Sequence, residues 1–114
     1  MRTPTRAGIA TITIDQQGNM TLADFKKSLS WANQDQVKWV NKSNTPRVIS
    51  FVSLWPFLGL QATIYVPQRD KGNPGESDVF QVDLSKPKNT TYFYTISPQV
   101  TGPPDGPAVI VNGG

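Results

Sequence analysis

The chain has 114 residues, a formal net charge of +3, no histidine and no cysteine, and its length predicts a single domain over residues 1–114. Without imidazole or thiol groups, Ser-His and Cys-His catalysis and the transition-metal sites that need those ligands are excluded, so we expect no cofactor and no enzymatic activity. The basic residues are scattered and no apolar run could span a bilayer, so neither nucleic-acid binding nor membrane insertion is expected.

Short alternating segments separated by turns occupy the first half of the chain. Ile9–Ile14 is rich in β-branched residues and predicts the first strand. Residues 20–22 and 25–31 predict two more strands, and a turn at residues 32–35 leads into a fourth at 37–41. Residues 48–52 resume a β-branched run after a polar loop and predict another strand.

The pattern loosens over residues 53–76, where 62–66 is a candidate strand, and then becomes regular again. Residues 79–84 alternate, which predicts that Phe80, Val82 and Leu84 share one face. Residues 91–97 place Tyr92, Tyr94 and Ile96 on one inward face, and 108–111 form the last strand. A total of roughly seven to eight short strands with regular turns predicts an all-β sandwich.

The loop at residues 70–78 carries several oxygen donors, including Asp70, Glu76 and Asp78. Such a loop could hold a hard cation such as calcium. Its spacing does not fit an EF-hand, because Gln81 stands where the bidentate Glu is required and Pro74 interrupts the loop. A solvated connection between strands is the favoured interpretation.

Residues 25–111 resemble the cupredoxins, the plastocyanin-like family of Greek-key β-sandwiches. Residues 37–41 followed by Thr45-Pro46-Arg47 are similar to the strand of the form Val-x-Trp-x-Asn that precedes the first copper ligand. Residues 92–99 are similar to the tyrosine-rich strand that enters the Cys-Ser-Pro-His ligand loop. The resemblance implies a cupredoxin-like Greek-key fold and a periplasmic or extracellular location, although residues 1–6 lack the apolar core of a signal peptide.

The positions that correspond to copper ligands hold residues that cannot bind copper. By resemblance, Arg47 replaces the first His, Ile96 the Cys and Gln99 the second His, and residues 102–107 offer no axial Met. Guanidinium, aliphatic and amide side chains do not provide the thiolate and imidazoles of a blue-copper site. The resemblance therefore implies a copper-free sandwich whose former metal pocket is filled and apolar.

The candidate binding residues are Arg47, Trp55, Phe57 and Gln99. Trp55 and Phe57 lie in an irregular loop, where they either cap one end of the sandwich or form an exposed patch. Cupredoxins dock partners at the end near the ligand loops, so the resemblance implies that all four residues converge there with the Pro103-Pro104 loop.

We therefore predict a non-catalytic module that mediates protein–protein interaction or assembly through that end of the sandwich. The alternative is a carbohydrate-binding sandwich that stacks exposed Trp and Tyr rings on sugars. An enzyme that uses carboxylates alone is not favoured, because the acidic residues fall mostly in or beside predicted turns, where Asp is common for conformational reasons.

Overall fold

A computed structural model describes residues 9–52, 54–59, 61, 63–102 and 106–113 of the chain. Within these residues, no helix has the length and apolar character needed to cross a membrane. The described elements, in chain order, are β1 Ile9–Ile14, α1 Leu22–Phe25, β2 Lys26–Ser30, β3 Gln36–Asn41, β4 Arg47–Phe51, β5 Thr63–Val66, β6 Gly75–Glu76, β7 Phe80–Gln81, β8 Thr90–Ser97 and β9 Ala108–Asn112.

The strands form two sheets, which confirms the predicted all-β sandwich. One sheet has the order β1-β3-β6, with β7 also paired to β3, and the other has the order β2-β9-β8-β4-β5. The pairs β1-β3 and β2-β9 are parallel, and the remaining pairs are antiparallel. The nine strands described slightly exceed the expected seven to eight, and two of them, β6 and β7, have only two residues each.

The core lies between the two sheets and follows the alternation of the strands. Tyr92, Tyr94 and Ile96 on β8 all point inward, with 2%, 2% and 7% of their surface exposed. Trp39 on β3 is fully buried opposite them and contacts the ring of Tyr94. The inward face predicted for these residues is confirmed, because successive side chains of a strand point to opposite faces of the sheet.

Residues 20–22 do not form the predicted strand. Thr21 instead caps the short helix α1, since its side chain accepts a hydrogen bond from the backbone N–H of Asp24 at 3.2 Å. A threonine that caps a helix satisfies a backbone N–H that would otherwise have no partner. The helical turn directs Phe25 into the interior, where it is buried.

The predicted strand at 79–84 is shorter than expected, and Leu84 does not share the inward face. Phe80 and Val82 are buried, whereas Leu84 is 42% exposed. The chain turns at Asp83, whose side-chain Oδ1 accepts a hydrogen bond from the backbone N–H of Ser85 at 2.8 Å. This local bond ends the alternation one residue before Leu84.

The connection before β7 is a tight turn followed by the short strand β6, which the sequence pattern did not predict. Asp70 and Asn73 exchange two backbone hydrogen bonds of 2.9 Å around Gly72, which has a φ of +83°. Gly75 in β6 has no room for a side chain, because a Cβ there would lie 1.8 Å from the carbonyl oxygen of Pro67. In the described parts of the chain, no group of three or more acidic side chains is placed to hold a metal ion.

Candidate functional site

Arg47 occupies the centre of the end of the sandwich where β4 begins. Its side chain points inward and is only 6% exposed. Nη1 donates hydrogen bonds to the backbone carbonyls of Pro98, at 2.8 Å, and Gln99, at 3.2 Å, and Nη2 donates to the hydroxyl of Ser43 at 3.5 Å. Nε has no partner, and Arg47 is absent from the ion pairs formed within the described residues.

The loop between β3 and β4 is folded by a buried amide at the end of β3. Asn41 donates from Nδ2 to the carbonyl of Thr45 at 2.7 Å, and its Oδ1 accepts from the N–H and the hydroxyl of Ser43 at 3.0 and 2.6 Å. These bonds bring Ser43 under the guanidinium of Arg47. The asparagine that ends the Val-x-Trp-x-Asn segment therefore positions part of the site.

The structure places Arg47, Ile96 and Gln99 at the same end of the sandwich. Val48, next to Arg47, pairs with Ser97, and Ile49 pairs with Ile96. Ile96 is buried, whereas the side chain of Gln99 is exposed and meets Arg47 only through its backbone carbonyl. The Pro103-Pro104 loop, which was predicted to join this surface, lies outside the described residues.

The interior around Arg47 is filled, but it is not the apolar pocket that the resemblance implied. A guanidinium surrounded by carbonyl and hydroxyl oxygens occupies it. Gly18 closes over this group, since a Cβ at Gly18 would lie 2.9 Å from Nη2. These side chains do not fit copper, because no thiolate or imidazole is present and a fixed cation already fills the position.

The prediction that Trp55 and Phe57 converge with Arg47 and Gln99 is wrong. The ring centroid of Trp55 lies 5.4 Å from that of Phe51, at the end of β4 opposite to Arg47. Arg47 and Phe51 are four residue steps apart along β4, which places the two ends of this strand about 13 Å apart. Phe57 is fully buried and contacts the rings of Trp39 and Phe80, so it belongs to the core and offers no exposed surface.

A cavity of about 420 Å³ lies beside the segment that follows β8. Phe25, Ile96 and Val100 give it an apolar wall, and Tyr94 also lines it. Burial raises the pKa of the Tyr94 phenol far above its usual range, because the ionised form would lose its hydration. Gly102 and Gly106 also line the cavity, and they flank residues 103–105, which the structure does not describe. We assign no ligand to this cavity.

A second feature is the outward side of the five-stranded sheet, which sequence reasoning missed. Val48 is 36% exposed, Val52 66%, Tyr65 61% and Phe93 43%. Ser50, Thr63 and Thr95, which carry hydroxyl groups, lie between these four residues. We call all seven residues together the outer face. The signal was present in the sequence, because segments 48–52 and 91–97 carry large apolar side chains on both faces of their strands.

The comparisons with known proteins support the fold. No family model matches the sequence, and no curated protein matches it. Among solved structures, the chain is similar to a proline-to-glycine variant of amicyanin in its reduced Cu(I) form at pH 4, with 18% identity over 96% of this chain and 87% of that chain and a TM-score of 0.52.

Two further structures of Cu(I) amicyanin give the same result. A methionine-to-alanine variant is 19% identical over 96% of this chain and 87% of that chain, with a TM-score of 0.53. A methionine-to-glutamine variant is 21% identical over 92% of this chain and 83% of that chain, with a TM-score of 0.53. The chain therefore has a cupredoxin-like fold, built from a sequence without the histidine and cysteine ligands of a blue-copper site.

Proposed function

We propose that this chain is a non-catalytic, copper-free cupredoxin-like module that assembles with a second copy of itself through the outer face. The observation that carries the proposal is the exposure of Val48, Val52, Tyr65 and Phe93 on one side of one sheet. Contiguous exposed apolar surface on a soluble domain marks an interaction site. The resemblance to the cupredoxins also supports a periplasmic or extracellular location for this assembly.

The charge distribution favours contact between two identical faces. The chain carries a net charge of +3, so two copies repel each other overall, and a face with few charges is the favoured place for contact. Among the outward side chains of the five strands in this sheet, only Lys26 is charged. Its ammonium group lies 5.0 Å from the ring centroid of Phe93 and donates to the carbonyl of Gly106 at 2.7 Å, which holds it at one side of the sheet.

The register of the sheet makes the central strand and the hydroxyl row of the outer face complementary to themselves. Val48 and Val52 lie on the same side of one chain segment, with Ser50 midway between them. A twofold axis that passes beside Ser50 and runs across the strands would place Val48 of one copy opposite Val52 of the other. Val48 and Val52 then meet as an apolar pair, and the Ser50, Thr63 and Thr95 hydroxyls meet their counterparts, as an isologous interface requires. Phe93, level with Val52, faces the hydroxyl of Ser97, level with Val48.

The size of the outer face predicts a weak interaction. The three strands that carry the outer face, β4, β5 and β8, lie about 4.8 Å apart, and with about five residues each they cover on the order of 240 Å². A stable interface usually buries about 800 Å² on each partner. We therefore expect a dissociation constant between about 10 μM and 1 mM rather than a permanent dimer.

Carbohydrate binding is the alternative, and the described aromatic residues give it less support. One face of the Phe93 ring is occupied by the ammonium group of Lys26 at 5.0 Å, and one face of the Trp31 ring by that of Lys88 at 5.2 Å. Trp39, Tyr92 and Tyr94 are buried. Of the described aromatic side chains, Tyr65 is the most exposed, so a sugar ring would be expected to stack on Tyr65.

Sedimentation velocity over about 10 μM to 1 mM protein tests the proposal. Wild type is expected to shift from monomer to dimer as the concentration rises. Val52→Asp places a charge in the outer face, opposite Val48 of the second copy, and should keep the chain monomeric throughout. Leu84→Asp is the matched control, since Leu84 is an exposed apolar residue in the turn after β7, and it should associate like wild type.

Wild type that stays monomeric up to about 1 mM would overturn the assembly proposal. Equal association of the Val52→Asp and Leu84→Asp variants would also overturn it, since the contact would then lie elsewhere. Binding of a neutral glycan that is lost on Tyr65→Ala would favour the carbohydrate alternative instead. Circular dichroism of each variant shows that the fold is retained.

A further inference from the structure

We infer that the guanidinium of Arg47 takes over the cross-linking role that a metal ion would have at this end of a cupredoxin sandwich. The ligand positions implied by the resemblance are those of Arg47, Ile96 and Gln99, so a metal bound there would join the start of β4 to the end of β8 and the residues that follow it. In this chain, a cation that belongs to the polypeptide joins the same two segments. This inference does not depend on the proposed function.

The hydrogen bonds of Arg47 connect parts of the chain that are far apart in sequence. Its Nη1 reaches the carbonyls of Pro98 and Gln99, which lie 51 and 52 residues away. Its Nη2 reaches the hydroxyl of Ser43 in the loop before β4. The planar fork of a guanidinium can hold several oxygens in fixed directions, which the single ammonium of a lysine cannot reproduce.

The burial of the Arg47 charge explains why its hydrogen bonds to the carbonyls of Pro98 and Gln99 are important for the stability of this end of the sandwich. A cation that is 6% exposed loses most of its hydration, and that loss is tolerated only when hydrogen bonds replace the water. Because no carboxylate of the described residues pairs with Arg47, the carbonyls of Pro98 and Gln99 provide its main stabilisation.

A third segment completes the junction. Gly18 follows β1 and lies directly against the guanidinium, where a side chain would collide with Nη2. The backbone N–H of Thr101 donates to the carbonyl of Gly18 at 3.3 Å, and Asn19 and Thr101 form an isolated bridge. The segment 98–101 is therefore held on one side by Arg47 and on the other by the loop after β1.

Amide hydrogen exchange measured residue by residue tests this inference. The Thr101 amide reports on the junction, and the Trp39 amide, bonded to the hydroxyl of Ser77 at 2.9 Å, reports on the other sheet. In Arg47→Met, the exchange rate of the Thr101 amide relative to that of the Trp39 amide should rise about tenfold or more. This is the change expected when a hydrogen bond to a charged group is lost. Arg47→Lys keeps the charge without the fork and should show most of the same acceleration.

Arg69→Met is the matched control, because Arg69 also forms a side-chain hydrogen bond, at 3.2 Å to Asn44, but that bond is exposed to solvent. This variant should leave the exchange of Thr101 unchanged. An Arg47→Met protein in which Thr101 exchanges at the wild-type rate would overturn the inference. An equal acceleration at Thr101 and Trp39 would also overturn it, because that pattern reports only a general loss of stability.

A measurement on wild type keeps the inference testable if the Arg47 variants do not fold. The Nη1 protons of Arg47 should give resolved, slowly exchanging nuclear magnetic resonance signals near neutral pH, since both carbonyl contacts shield them. The Nη protons of Arg69 provide the reference for an exposed guanidinium. Equal exchange rates for the two arginines would refute the cross-link.

Discussion

The ring of Trp39 on β3 meets the ring of Tyr94 on β8 edge to face, with their centroids 5.6 Å apart and their planes at 89°. The indole N–H of Trp39 also donates to the phenol oxygen of Tyr94 at 3.4 Å. Since β3 and β8 belong to different sheets, this pair joins the two layers of the sandwich. The contact has consequences for stability at high pH.

Stability should fall as the pH rises above about 10, the usual pKa of a tyrosine. The Tyr94 phenol ionises readily in the unfolded chain but stays protonated in the folded one, where burial raises its pKa. Alkaline conditions therefore favour the unfolded state by up to about 1.4 kcal/mol per pH unit for this group. The stabilising effect of the neutral phenol is complete below pH 10 and is lost progressively above it.

Chemical denaturation between about pH 9 and 11 measures this dependence. Tyr94→Phe should show a shallower decline than wild type, although some decline remains because burial also raises the pKa of Tyr92. Tyr65→Phe alters an exposed phenol and is the control. Identical slopes for wild type and Tyr94→Phe would contradict the assignment.

Phe57→Ala should lower the free energy of unfolding by about 3–5 kcal/mol, the usual cost of removing a buried aromatic ring. The ring is fully buried, so its loss leaves a cavity beside Trp39 and Phe80. Phe93→Ala, which removes a ring that is 43% exposed, should cost about 1 kcal/mol or less. Urea denaturation of both variants gives the comparison, and equal costs would show that Phe57 is not part of the core.

Asn41→Ala should lower the free energy of unfolding by about 2–3 kcal/mol, because the buried N–H of Ser43 loses its acceptor and the Ser43 hydroxyl and Thr45 carbonyl each lose one hydrogen bond. The Asn41 amide is fully buried and makes three hydrogen bonds within the loop before β4. Asn112→Ala, at an exposed position in β9, is the control and should be close to neutral. Thermal melting distinguishes the two, and a neutral Asn41→Ala would contradict the role of this amide.

Metal removal should not change the stability of the protein. Dialysis against a chelator is expected to leave the melting temperature unchanged, because Arg47 links the segments that a metal would otherwise join. Addition of Cu(II) should not produce the intense blue absorption of a copper–thiolate bond, since the chain has no cysteine. A blue product, or a melting temperature that falls in the chelator, would disagree with this prediction.

Much of the fold could be predicted from the sequence, because a strand between two sheets must alternate. The inward face of Tyr92, Tyr94 and Ile96 follows from that period alone. The helix α1 was missed because the cap formed by Thr21 is a local hydrogen bond that a three-residue apolar pattern does not reveal. Leu84 was misplaced for a similar reason, since the turn at Asp83 ends the alternation before it.

The candidate site was predicted only in part. The segments around Arg47 and Gln99 were found because their spacing matches a known frame, and the structure brings them together. Trp55 and Phe57 were assigned to the wrong end, since an irregular loop carries no period from which burial or direction can be read. The outer face was missed because single exposed apolar residues are common on protein surfaces, and only the pairing of strands shows that these residues lie together.

The sequence by itself determined the class of fold and the absence of a blue-copper ligand set, because strand period and residue chemistry are local properties of the chain. Only the tertiary structure decided what replaced that ligand set and which surface remains exposed. Arg47 meets the carbonyl of Pro98 across 51 residues, and such a contact depends on how distant strands pair. Hydrogen bonds of a buried charge are satisfied by whichever groups the fold brings near it, and no local pattern specifies them.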